Sequence, residues 1–182
     1  MHVVSVNVGL PRRITWQGRP VLTGIFKEPV EGRIAVRRLN LEGDLQADLS
    51  VHGGPEKAVY AYPAEHYDFW RGLLPEIALP PGSFGENLTV EGLTEENAHV
   101  GDRFQIGTAE VMVTQPRMPC YKLAAKFGRT DIIRYFLESR RSGFYLAVLH
   151  EGAVGRGDSI QVIERASRGA SIAALNRRRS KT

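Results

Sequence analysis

The chain has one cysteine in 182 residues, so no internal disulfide can form. No apolar run approaches the ~20 residues needed to cross a bilayer. The start, Met1 to Val8, alternates like a strand and lacks the basic and apolar regions of a signal peptide. There is no Walker A sequence. Gly152-Ala153-Val154-Gly155-Arg156-Gly157 misses the G-x-G-x-x-G pattern and leads into a strand. His2, His52, His66, His99 and His150 are scattered, and Trp70 stands four residues after His66, which excludes a zinc-protease helix. No repeat or low-complexity linker interrupts the chain. Charge of one sign is also scarce: 24 basic against 20 acidic residues leave +4. That excess is too small and scattered to imply nucleic acid, yet it suits a small anionic ligand such as a phosphate. What remains is one ordinary globular domain, 42% apolar and 24% charged, with a reduced cytoplasmic setting as the default.

Short strands dominate what is present. Strands are expected at Val3–Val8, Arg33–Leu39, Leu88–Val90, Phe144–Leu149 and Ser159–Ile163. Hairpins are expected where Arg13–Trp16 meets Pro20–Leu22 across Gln17-Gly18-Arg19, and where Asp102–Ile106 meets Glu110–Thr114 across Gly107-Thr108. The stretch after Leu149 reads as a glycine-rich turn, with Arg156-Gly157-Asp158-Ser159 closing it rather than serving as an adhesion motif. Helices are expected from Pro63 to Leu74, from Tyr121 to Phe127 with Gly128 as the stop, and from Thr130 to Arg140 with Ile133, Phe136 and Leu137 inward. Helices inserted among strands, rather than alternating with them, predict a mostly β, mostly antiparallel barrel. The basic end Arg177-Arg178-Arg179-Ser180-Lys181 reads as solvated.

The lone Cys120 lies in Gln115-Pro116-Arg117-Met118-Pro119-Cys120-Tyr121-Lys122. It is either a small buried hydrophobe or a reactive thiol. Flanking cations and a helix start favour the thiolate, which attacks carbon or binds metal. Three other stretches are unusual. Asp48 to Ala58 runs a strand into Gly53-Gly54, with His52 and Lys57 on either side, which either admits a ligand against the backbone or makes a tight turn. Ser83-Phe84-Gly85-Glu86-Asn87-Leu88 places Glu86 and Asn87 beside a permissive glycine, for binding or for loop capping. Arg140-Arg141-Ser142-Gly143 offers cations that either hold a phosphate or complement a helix dipole.

Gly43-Asp44, Gln46-Ala47-Asp48, Val51-His52-Gly53-Gly54, Ala61-Tyr62-Pro63, Ser83 to Leu88, Gly101-Asp102 and Gln115 to Cys120 occur in this order. Together with Tyr121-Lys122 and Arg141-Ser142-Gly143-Phe144-Tyr145 they resemble the MOSC domain, named after the C-terminus of molybdenum cofactor sulfurases, in its stand-alone YiiM-type branch. The resemblance covers roughly residues 1–165. It implies a closed, pyruvate-kinase-like β-barrel with a few inserted helices, and a groove whose cysteine ligates the molybdenum of a pterin cofactor that ends in a phosphate. Relatives reduce N-hydroxylated compounds: amidoximes, hydroxylamines and hydroxylaminopurines, the last a detoxification. By this resemblance Cys120 is the metal ligand, and His52, Gly53, Lys57, Gly85, Asn87 and Arg117 line the cofactor groove. Arg12 and Arg141 would touch the phosphate. The partners implied are an N-hydroxylated small molecule and an external electron-donor reductase, with no membrane and no nucleic-acid polymer. The branch often continues into three helices, of which residues 166–182 resemble only the opening. The pyridoxal-phosphate half of the sulfurases is not expected. Two other functions remain in view: a cofactor carrier or sulfur-handling module without turnover, and a thiol hydrolase with His52 as base to Cys120.

Overall fold

Two apolar cores, one aliphatic and one aromatic, organise the residues that the computed structural model describes, 1–47 and 53–179. Strand β6 divides them. The strands are β1 His2–Val8, β2 Arg12–Trp16, β3 Arg19–Thr23, β4 Glu28–Val30, β5 Arg33–Val36, β6 Val59–Pro63, β7 Leu88–Glu91, β8 Arg103–Ile106, β9 Ala109–Pro116, β10 Phe144–His150, β11 Gly152–Gly155 and β12 Ile160–Glu164. The helices are α1 Tyr67–Leu73, α2 Tyr121–Phe127, α3 Ile132–Ser139 and α4 Ile172–Arg179. Successive side chains of a strand point to opposite faces. Val59 and Ala61 of β6 therefore join the aliphatic core, while Tyr60 and Tyr62 join the aromatic one. All five β6 residues are buried. That removes the polar alternation that marks a strand, and the sequence reading passed over it.

The expected closed barrel is not what forms. Eight strands make one open sheet, in the order β12-β8-β9-β10-β6-β7-β1-β4. Its ends approach where His2 bridges Ser159 and the Val3 N–H donates to the Asp158 carbonyl at 2.9 Å. This contact covers only the first residues of β1, because β4 lies along the rest of that strand and becomes the outer edge. One pair, β6 with β7, is parallel, since the chain between them crosses over through α1. Two further pairs stand apart from this sheet, β2 with β3 and β5 with β11.

Local departures have local causes. Gly152 to Gly155, expected as a turn, pairs with β5; a side chain at Gly152 would sit 2.5 Å from the Thr108 backbone, so glycine is what lets this strand pass. The helix expected from Pro63 begins as α1 at Tyr67, because Pro63 ends β6 and a 3-10 turn follows it. Strand β5 stops at Val36 rather than Leu39. In α3 Ile132 and Phe136 are buried and Ile133 packs partly buried against the aromatic core, as expected of Ile133 and Phe136, whereas Leu137 is exposed. Helix α4 is tied to the body: Ile172 is buried in the aliphatic core and its N–H donates to the Ala98 carbonyl at 2.9 Å. Among the described residues no helix is long and apolar enough to cross a membrane.

Candidate functional site

The buried carboxylates explain how two of the unusual motifs fold. Glu86, fully buried, accepts from the Gly82 N–H at 2.9 Å, the Phe84 N–H at 3.0 Å, the Thr89 hydroxyl at 3.0 Å and the Tyr67 hydroxyl. The Ser83–Leu88 loop is thus wound around its own acid. Gly85 sits at φ +82, and a side chain there would meet Ile25 at 2.8 Å. Asn87 joins three segments: its Oδ1 accepts from the Tyr60 N–H at 3.0 Å, and its Nδ2 donates to Asp44 at 2.9 Å and to the Asn7 carbonyl at 3.4 Å. Asp44 also accepts from the Gly9 N–H at 2.9 Å and from the Lys27 ammonium. These bonds bring the residues after β3, the Gly43-Asp44 motif and the 85–87 loop to one place.

A cavity of about 590 Å³, open to solvent, lies there. Its walls are residues 23–25 and Lys27, residues 44–47, Tyr60 of β6, Gly85 and Asn87, and Arg117, Cys120 and Lys122 with Tyr145 of β10. Lys27, Lys57, Arg117 and Lys122 line it against one described carboxylate, Asp44. The surface is therefore suited to an anion. Burial pulls the Lys27 ammonium below the usual lysine range, with Asp44 opposing the shift. Behind the wall, Lys126 of α2 donates to the Gly82 carbonyl at 2.7 Å and the Ile25 carbonyl at 3.1 Å, and burial lowers its pKa to about 8.

Cys120 is half-buried on the cavity wall, at the N-cap of α2. Arg117 is buried three residues before it. Its guanidinium lies 5.0 Å from the Tyr60 ring and 5.3 Å from the Phe136 ring, and its Nη1 makes no hydrogen bond while being closed to solvent. Burial works against this charge, but Tyr60, Tyr145 and Cys120 around it more than offset that, so the group stays protonated. Tyr145 bonds to Arg117, and burial holds its hydroxyl in the neutral form.

The expected groove residues Lys57, Gly85, Asn87, Arg117 and Cys120 meet in this cavity. His52 lies outside the described residues. Gly53 is half-buried and does not line the cavity. Arg12 is stacked 3.6 Å over the Phe26 ring, and Arg141 lies 4.0 Å over the Phe69 ring while donating to the Ser139 carbonyl at the end of α3. Neither lines the cavity. Sequence reading gave no role to Lys27, Asp44, Tyr60 or Tyr145, and read Lys122 only as a cation flanking Cys120. Asp44, Lys122 and Tyr145 stood inside the quoted motifs; only their meeting in space marks them as cavity residues. Among the described residues no three His, Cys, Asp or Glu side chains converge to hold a metal ion.

Known proteins share this sequence and fold. The chain is 46% identical over 175 residues to the uncharacterized protein YflK of Bacillus subtilis (strain 168), spanning 96% of this chain and 79% of YflK. It is 32% identical over 151 residues to a protein named reductase from Gibberella moniliformis, spanning 81% of this chain but 27% of that protein. The crystal structure of YiiM from Geobacillus stearothermophilus superposes with a TM-score of 0.79 at 38% identity, covering 96% of this chain and 81% of YiiM. The MOSC domain model matches residues 48–161, which include most of the aromatic core, the Ser83–Leu88 loop and Cys120, and the chain belongs to the MOSC domain family.

Proposed function

We propose that this protein holds a molybdenum-bearing pterin cofactor, with Cys120 as a ligand to the metal, and reduces N-hydroxylated compounds with electrons from an external donor. The reading rests on Arg117: a buried guanidinium with an unsatisfied N–H, in no described ion pair with a carboxylate, beside the only cysteine of the chain. A thiolate next to that charge is a soft ligand of the kind molybdenum accepts. Lys57 and Lys122 add charge for a phosphate, and the pterin's polar edge would meet the backbone of residues 23–25 and Gly85 on the opposite wall. Asn87 serves indirectly, since its amide is spent on Asp44, Tyr60 and Asn7. The cofactor supplies the two-electron redox chemistry when bound. The protein orients it, keeps the sulfur anionic and holds the cavity wall rigid.

The overall change is R–NHOH + 2 H⁺ + 2 e⁻ → R–NH₂ + H₂O, in which the N–O bond breaks and the oxygen leaves as water. Membership of the family and the relative named reductase support this class. Protein made in a host that synthesises the cofactor should carry molybdenum by elemental analysis and oxidise a reduced donor when benzamidoxime or hydroxylaminopurine is added. Cys120→Ala should fold and lose both properties. Retention of molybdenum and activity in that variant would remove the assignment. Molybdenum binding without turnover of any N-hydroxylated substrate would instead leave a cofactor carrier.

A further inference from the structure

A second concavity adjoins the segment that carries the cysteine. It is a cleft of about 780 Å³, open to solvent, and Arg117 belongs to its wall as well as to that of the cationic cavity. Met118 and Pro119, with Phe136 and Leu137 of α3, form its apolar part. Two of these large side chains, Met118 and Leu137, are left open to water at 45% and 44% exposure. The polar groups at the end of the cleft are spent on one another. Arg140, left-handed at φ +58, ends α3, and Asn176 of α4 donates to its carbonyl at 3.1 Å and to the Ser142 hydroxyl at 2.9 Å. Exposed Glu138 and Arg140 balance in charge. The cleft thus offers apolar surface with little net charge, next to a cavity that offers cations.

We propose that this cleft seats the flat, uncharged body of an aromatic N-hydroxylated substrate, whose N–OH group reaches past Pro119 to the site beside Cys120. This seat presupposes the reading above, in which the chain reduces R–NHOH. The phosphate-bearing cofactor matches the lysines and Arg117 of the cationic cavity in charge. R–NHOH is neutral at pH 7 and gains nothing from those cations, whereas its ring gains from leaving water against Met118 and Leu137. An open apolar patch rimmed by polar groups marks a ligand groove, and this one has the volume of a small-molecule site. The reach is short. Successive Cα atoms lie about 3.8 Å apart, so Met118 starts within about 8 Å of Cys120. One aromatic ring bearing an N–OH group spans that distance. Hydroxylamine, with no ring, would use none of this surface, so the cleft selects for aromatic R.

The test reads the cleft directly. Protein labelled with carbon-13 at the methionine methyls carries three such groups, at Met1, Met112 and Met118. Titration with benzamidoxime, with or without cofactor, should move the Met118 signal saturably and leave Met1 and Met112 in place. Leu137→Asp, at an exposed position outside the cationic cavity, should weaken that binding at least about tenfold, and Leu137→Met should retain it. With reduced methyl viologen as the electron donor, kcat/KM for benzamidoxime relative to hydroxylamine should fall about tenfold in Leu137→Asp. An unmoved Met118 methyl overturns the seat. So does an equal loss for both substrates in Leu137→Asp. Dimerisation that Leu137→Asp abolishes also overturns it, since the cleft would then be a contact between copies. If the wild type neither retains molybdenum nor reduces either substrate, the proposed function fails. The Met118 titration then decides the cleft alone: a saturable shift weakened in Leu137→Asp upholds an aromatic seat, and no shift overturns it.

Discussion

Two buried cations in the cavity wall have opposite relations to their surroundings. Lys27 is held by Asp44, itself 2% exposed, and Lys27→Met would leave that carboxylate with only the Gly9 and Asn87 donors. Breaking such a pair costs about 3 kcal/mol. Arg117 has no described carboxylate to strand, and its planar stem lies between aromatic rings that a methionine side chain would also fill. Arg117→Met should cost at most about 1–2 kcal/mol, mainly from the Tyr145 hydroxyl left without its partner. Urea unfolding of both variants should therefore rank Lys27→Met as much the less stable. Molybdenum content should fall in Arg117→Met although its fold survives. The reverse order of stabilities would mean that the guanidinium is structural. At this scale the sequence was informative where chemistry is contiguous: Cys120 and Arg117 sit in one short run. It was silent where a pair is made by folding, as with Lys27 and Asp44.

Helix α2 anchors the cavity by its far end rather than its start. Lys126 binds the carbonyls of Ile25 and Gly82, one from the wall after β3 and one from the Glu86 loop. Its folded pKa of about 8 lies below the ordinary lysine value of 10.5. Between those two pH values the unfolded chain binds more protons than the folded one, so stability rises with pH across the window and falls again as pH drops through about 8. Relative to Lys126→Met, wild-type stability should improve by up to about 3 kcal/mol from pH 7.5 to pH 10.5 in urea titrations. A flat difference would place the amine in water. The expected span of α2 matches Tyr121–Phe127, with Gly128 at φ +68 ending it. Three strands escaped the reading: β4 is only three residues long, β6 has no polar residue to show a period, and β11 is framed by glycines that normally punctuate turns.

For the whole molecule, the open sheet sets a gradient of order. Strands β9, β10 and β6 are interior to the sheet, while β2 and β3 bond only to each other. Amide hydrogen exchange should be slowest in β9, β10 and β6 and much faster in the hairpin, by about a hundredfold or more, as expected of an element whose ladder joins no other strand. Equal protection would mean that the hairpin is not an independent arm.

The mostly β class and most strands and helices follow from local chemistry that neighbours in sequence carry by themselves: alternation, helical spacing, glycine stops. So does the ordered set of motifs that marks a MOSC domain. Tertiary structure alone decided that the sheet stays open, that β6 separates two cores, and that cations 90 residues apart, Lys27 and Arg117, share one cavity with Cys120. Such outcomes depend on which distant surfaces exclude water from each other, and burial of that kind has no period or spacing along the chain.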